Sequence, residues 1–234
     1  MCIRDRKWEM PENRFRKSLY CLIPLVFVLL QYVLFYFCAK FLHMPYGPFN
    51  FETALDRQVP LIPWFIYIYV GSYIFWLVTF FVVASGDRDN FYALVASVTV
   101  TFFVCFLFYV FLPTTIVRPE IGTDTFTLWL LDLIYKADTP ALNLFPSMHC
   151  LASWLCFIGV RRMKNISLFG KAAVCFCALA VFASTQFVKQ HYMADLFGGV
   201  LLAELGAFFV RKKQLQRVFA GAFTKINKKL LKLE

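Results

Sequence analysis

The sequence predicts an all-α polytopic membrane bundle: six transmembrane helices, with a further interfacial helix between the third and the fourth. Three observations carry that expectation. The 234 residues are 60% hydrophobic and 19% aromatic with only 16% charged, too apolar for a soluble domain of this length. Apolar runs of about the 20 residues that a bilayer crossing needs recur along the chain, broken by short polar or basic stretches. The basic residues behind the net charge of +10 gather at the chain ends and in one turn between runs. That distribution reads as topology and attraction to anionic headgroups, so a lipid bilayer is the expected partner and no nucleic acid is.

In chain order the six spans are Leu19 to Leu42, Leu61 to Ala84, Phe91 to Leu112, the short Phe145 to Val160, Leu168 to Val188 and Tyr192 to Val210. Pro45 and Pro48, the Ser85-Gly86-Asp87 turn, Pro113, and the basic turn with Arg161, Arg162 and Lys164 mark their ends. With six spans, Arg14, Arg16 and Lys17, that basic turn, and Arg211, Lys212 and Lys213 all fall on one side. The other side holds only scattered Arg57, Arg118, Lys136 and Lys189. Both termini are therefore expected in the cytoplasm. No repeat or linker divides the chain, which reads as one domain over residues 1–234, with a cytoplasmic arm at 1–18 and a basic cytoplasmic tail at 211–234. The opening Met1 to Arg6 reads as an upstream scar and is left out of fold reasoning; no signal peptide is expected, since no small-residue cleavage site follows the first long apolar run.

Between the third and fourth spans, Phe126, Trp129, Leu130, Leu133 and Ile134 recur at helical spacing, interrupted by Asp124 and Asp132. This predicts an amphipathic helix at the outer interface, either packed on the bundle or serving as a lid or substrate gate. The eight cysteines lie mostly in apolar runs, and Cys175 and Cys177 are one residue apart instead of the two of a redox or zinc pair, so they read as small hydrophobes.

Ionisable groups at the membrane edge are costly, which makes the three histidines informative. His43 follows the first span without recognisable context and reads as an interface residue. His149 ends Phe145-Pro146-Ser147-Met148-His149 at the start of the fourth span, and His191 opens the sixth with Asp195 one turn on, on the same helical face. A carboxylate so placed can take the proton of one ring nitrogen and leave the other with a free lone pair, although such a pair is also a common structural contact. In the six-span arrangement His149, His191 and Arg118 all fall at external span ends. Glu204 lies about 13 residues beyond His191, roughly 20 Å deeper, and belongs to a different environment. Gly198-Gly199 reads as a point of close helix packing.

On these residues the sequence resembles the type-2 phosphatidic acid phosphatase superfamily, whose motifs run K-x6-R-P, P-S-G-H and S-R-x5-H-x3-D. The matching residues are Arg118-Pro119, Pro146-Ser147-Met148-His149, and Ser184 followed by His191 and Asp195. Phe111 stands at the lysine of the first motif, Met148 at the glycine of the second and Thr185 at the arginine of the third. Lys189 either replaces a lost cation or snorkels at the interface. A similar loosening marks the branch resembling inositol phosphorylceramide and sphingomyelin synthases.

The resemblance implies a metal-independent enzyme without a cofactor, acting on a lipid phosphate in a bacterial-type plasma membrane with its site on the external face. His191 would attack phosphorus, His149 would protonate the leaving oxygen, and Asp195 would orient His191. Arg118, Lys189 and backbone N–H groups near Ser147 would hold the phosphate oxygens. A Zn²⁺ site built from the two histidines and the aspartate is the minor alternative. Three functions remain open: a lipid phosphatase, a phosphotransferase to an alcohol, and a non-catalytic carrier or degenerate family member.

Overall fold

The computed structural model describes residues 20–231, so the expected arm at 1–18 and the excluded Met1 to Arg6 lie outside the described residues. The helices are α1 Leu22–Leu42, α2 Ala54–Gln58, α3 Ile66–Ala84, α4 Arg88–Phe111, α5 Phe126–Ala137, α6 Met148–Arg161, α7 Leu168–Phe187, α8 Met193–Lys212 and α9 Leu215–Leu231, with a 3-10 turn at Pro63–Phe65. Among the described residues there is no strand, only two isolated bridges that join Thr114 to Phe49 and to Asn143. The helix starts follow local chemistry. Asp87, Thr125, Ser147 and Ser167 each accept a hydrogen bond from the backbone N–H three residues on, satisfying one of the free donors of α4, α5, α6 and α7. Pro113 follows directly on the C-cap of α4, and a residue before proline is disfavoured in helical backbone.

Among the described residues five helices are long and apolar enough to cross a membrane: Leu22–Leu42, Pro63–Ala84, Arg88–Phe111, Leu168–Phe187 and Met193–Lys212. The sixth, α6, is apolar but only 14 residues long, roughly 21 Å against a hydrocarbon core of about 30 Å. It can be short because it is the centre of the bundle. Packed against α3, α4, α7 and α8, it meets protein along most of its length, and eleven of its 14 residues are buried. Lipid tails are as apolar as a protein core, so packing and buried hydrogen bonds hold such helices together. The Trp76 indole N–H, for example, donates to the fully buried Ser153 hydroxyl at 2.9 Å.

Helix α5 lies between the spans, as the periodicity predicts, but its apolar stripe divides. Leu131 and Tyr135 are buried with Ile66, Tyr69 and Val188, and Leu130 and Ile134 pack on that cluster. Phe126, Trp129 and Leu133 face outward. The expected basic tail folds as α9, which packs along α4: Phe223 touches the rings of Phe27 and Tyr92, and the Asn227 amide donates to the Tyr20 carbonyl at 3.2 Å.

Candidate active site

Two glycines set how closely the two histidine-bearing segments approach. A Cβ on Gly199 would lie 2.7 Å from the Ser147 carbonyl oxygen and 3.1 Å from the Leu151 nitrogen; one on Gly198 would lie 2.6 Å from the Phe145 ring. Without those atoms, the first turns of α6 and α8 meet. The Ser147 N–H donates to the Asp195 carbonyl at 3.0 Å, and the Tyr109 hydroxyl donates to the Pro146 carbonyl at 2.7 Å. The His149 and His191 rings consequently stand 6.2 Å apart, centroid to centroid, at 52°.

Asp195 is 1% exposed, and its Oδ2 accepts from the Tyr192 N–H at 2.9 Å and contacts His191 Nδ1 at 3.3 Å. With Nδ1 donating there, the other nitrogen of His191 carries the lone pair. The turn that presents His191 is tied by the Thr185 carbonyl, which accepts from the N–H groups of Gln190 and His191. His149 is stacked on Tyr69 at 4.2 Å and flanked by Tyr73 and Trp76. Its Nδ1 is 3.5 Å from the Tyr69 hydroxyl, and its buried Nε2 has no hydrogen-bond partner. Both histidines line one cavity of ≈ 280 Å³, together with Tyr36, Tyr109, Asp138 and Gln190.

Arg118 sits at the rim of this arrangement. The bridges at Thr114 and the Thr114 hydroxyl, which accepts from the Phe145 N–H at 2.9 Å, fix the strap that carries it. Its Nη2 donates to Asp138 Oδ2 at 2.5 Å and to Gln190 Oε1 at 2.7 Å, and Nη1 donates to the Tyr135 carbonyl at 3.2 Å. The Arg118 Nε is buried without a partner. Burial pushes the Tyr135 hydroxyl up to about 12, with the Arg118 charge pulling against the shift.

A sequence model of the PAP2 superfamily matches residues 42–209. The chain belongs to the PAP2 superfamily. Neither a curated protein nor a solved structure matches the chain. The polar residues on which the sequence resemblance rests, His149, His191, Asp195 and Arg118, gather at one end of the bundle, where His43 lies outside the cavity with its Nδ1 on the Met44 carbonyl. Among the described residues no three His, Cys, Asp or Glu side chains converge as a metal cage.

Two of the sequence-predicted phosphate residues are engaged elsewhere. The Lys189 ammonium points away from the cavity and donates to the carbonyls of Asp56 at 3.1 Å and Val59 at 2.5 Å, where it closes the C-terminal end of α2. Ser147 is fully buried; its hydroxyl caps α6, and its backbone N–H, expected to face phosphate, donates to the Asp195 carbonyl. Phe111 is half exposed, while the Thr185 hydroxyl bonds to the Phe182 carbonyl, so neither supplies a cation. Met148 lines the cavity.

Sequence reasoning missed Asp138, Gln190, Tyr36 and Lys40. The Asp138 carboxylate accepts from Arg118 and Tyr36 and lies 3.4 Å from Lys40 Nζ. A signal for Lys40 was present: it is the single charged residue in the first apolar run, and a charge in such a run marks a functional candidate. Gln190 and Asp138 carry no such signal, because a glutamine and an aspartate in connecting segments are ordinary.

Beside the cavity, Asp56 joins the α2 segment to the start of α8. Its Oδ1 accepts from the Met193 N–H at 2.8 Å, and its Oδ2 accepts from the Thr53 backbone and hydroxyl. Burial alone would raise its pKa, but the Thr53 and Met193 hydrogen bonds and the Lys189 charge hold it below the usual carboxylate range.

Proposed function

We propose that the protein is a lipid phosphate phosphatase working through a phosphohistidine at His191. The observation that carries this reading is the pairing of His191, backed by buried Asp195, with His149 in the lining of one cavity. The lone pair on the His191 nitrogen away from Asp195 attacks phosphorus, and a P–N bond forms as the P–O bond to the lipid breaks. His149 gives its proton to the departing oxygen. Water then attacks the phosphohistidine and loses its proton to His149; the P–N bond breaks and phosphate leaves. Arg118 steadies the equatorial oxygens electrostatically from the rim. The basic residues Arg161, Arg162, Lys164, Arg211, Lys212 and Lys213 cluster at the opposite end of the bundle, which supports a cytoplasmic location for that end and an external one for the histidines.

A second reading, transfer of the phosphoryl group to an alcohol, is favoured by the uncharged polar lining. Gln190 Nε2 and Asn143 Oδ1 are buried without partners, one a donor and the other an acceptor, on residues that line the cavity. A hydroxylated group can use both, whereas a phosphate dianion offers acceptors only.

The test is to incubate the detergent-purified protein with lipid phosphates and phospholipids in chelator, with and without alcohol acceptors, beside His191→Ala. Phosphate release lost by roughly 10³-fold or more in the variant is the expected result. Headgroup exchange instead of release selects transfer. Turnover unchanged in His191→Ala removes the phosphohistidine mechanism.

A further inference from the structure

A phosphoryl group leaving water for the cavity needs net positive charge around it, because an uncompensated anion withdrawn from water is strongly disfavoured. Arg118 alone does not provide that. Its guanidinium is paired with Asp138, and one cation with one carboxylate sum to zero. The positions where the superfamily motifs carry two further cations hold Phe111 and Thr185, and the Lys189 charge is spent on the Asp56 and Val59 carbonyls. The charge balance has to be restored from elsewhere.

We infer that Lys40 supplies the missing cation: Lys40 and Arg118 stand behind Asp138, which alone of the three lines the cavity, and the cluster forms an anion-holding wall on that side; this rests on the phosphoryl-transfer reading above. Lys40 comes from α1, which lies outside the family-matched segment except for its last residue. Its side chain is only 11% exposed, as is that of Arg118, and both reach the same carboxylate, Lys40 at Oδ1 and Arg118 at Oδ2. Asp138 itself lines the cavity, one turn of α1 before Lys40 contributes Tyr36 and Phe37 to that lining, and Tyr36 also donates to Asp138. Two cations less one carboxylate leave a single net positive charge on this cluster, separate from the Asp195 carboxylate held against His191. Arg118 Nε, buried without a partner, gives the wall an N–H still to be satisfied. A substrate phosphate, whether the headgroup of a lipid or the free ion, meets the same wall. Asp138 is a positioning residue in this arrangement: it holds the two cations together until an anion arrives.

Charge bookkeeping makes the test specific. Binding of orthovanadate is read by thermal unfolding of the detergent-purified full chain, and the same titration is repeated with a lipid phosphate as competitor to separate headgroup from free ion. Lys40→Gln, which removes the charge and keeps a hydrogen-bonding amide, weakens vanadate binding by roughly tenfold or more. Lys40→Arg retains wild-type binding within about threefold. Lys40→Gln combined with Asp138→Asn returns the wall to one net positive charge and recovers most of the loss. Asp138→Asn alone, with both cations kept, binds vanadate more tightly than wild type and more tightly than the double variant, and that difference isolates Lys40 if Lys40→Gln alone does not fold. Equal vanadate binding by wild type and Lys40→Gln overturns the inference, and so does a loss that the double variant fails to recover. Wild-type protein that binds vanadate through this wall but turns over no lipid phosphate leaves the inference standing and removes the phosphatase reading, so the two fail separately.

Discussion

The two ends of the helix bundle each hold a cluster of charged and aromatic side chains, and they differ in whether the cluster is closed. At the end away from the histidines, Glu204 accepts from the Trp154 indole and from both terminal nitrogens of Arg161, each at 2.7 Å. Each carboxylate oxygen is used, and the fork geometry is that of a bidentate pair. At the histidine end, four of the seven buried side-chain atoms without partners among the described residues belong to Arg118, Asn143, His149 and Gln190. A buried polar group without a partner costs about 1–3 kcal/mol, so leaving several on one cavity is tolerable only where something else, such as a ligand, completes them. The closed cluster holds helices together; the open one is where chemistry belongs.

The contrast can be broken most severely at Asp195. Asp195→Asn keeps a hydrogen-bonding side chain beside the Tyr192 N–H but no longer fixes which nitrogen of His191 carries the proton. Turnover is expected to fall by roughly 10²–10⁴-fold with little change in KM. Steady-state kinetics on the lipid phosphate check this, and an unaltered kcat removes Asp195 from the mechanism. Next in size is Gly199→Ala. Its new Cβ, 2.7 Å from the Ser147 carbonyl oxygen, forces the start of α6 away from α8. Overpacking of this kind costs about 1–3 kcal/mol and displaces His149 from His191, so both the unfolding midpoint and kcat should drop. A variant with native turnover would mean that the histidine spacing tolerates adjustment.

Asp56 sharpens the comparison through pH. Its folded-state pKa is depressed, so its stabilising effect is present above the unfolded value and is lost as pH falls through the folded one. Asp56→Asn is expected to lower stability by about 1–2 kcal/mol near neutrality. Unfolding midpoints recorded from pH 6 down to 3 should show wild type and variant converging below about pH 4, the usual carboxylate range. Parallel curves would mean that the Thr53 and Met193 contacts do not favour the ionised form.

Much of the fold was legible because bilayer physics is written in long runs: five spans and the short sixth follow directly from apolar length, and α5 from its period. The His191–Asp195 contact was legible from spacing, since residues four apart at a helix start lie close together, while the nucleophile and acid roles came from the family resemblance. What could not be read was the wall opposite them. Lys40 and Asp138 are 98 positions apart and meet only because α1 packs along α4 and α5 ends against Tyr36. Lys189 was misleading for a local reason. At φ 52° its backbone turns sharply between α7 and α8, and its ammonium is carried to the α2 carbonyls and away from the cavity beside which the sequence sets it. Within the basic tail, Leu215–Leu231 form a packed helix, because Phe223 and Asn227 recur on one face among the lysines.

The smallest effect is expected at the closed cluster. In Glu204→Gln the amide can still accept from Arg161 or Trp154, but one oxygen becomes a donor facing a guanidinium, and the charge is gone. Both partners are about one-third exposed, so solvent screens the pair and the cost should be near 1 kcal/mol, far below that of a fully buried ion pair. Thermal unfolding in detergent measures that cost, and kinetics on the lipid phosphate should give kcat and KM unchanged within about twofold. From Asp195, which contacts His191, to Glu204 the chain is one continuous helix, α8, so any sensitivity of the histidine end to this one has a direct route. A kcat that falls with Glu204→Gln while the unfolding midpoint holds would mean that α8 transmits strain between the ends, and that the closed cluster sets the position of the open one.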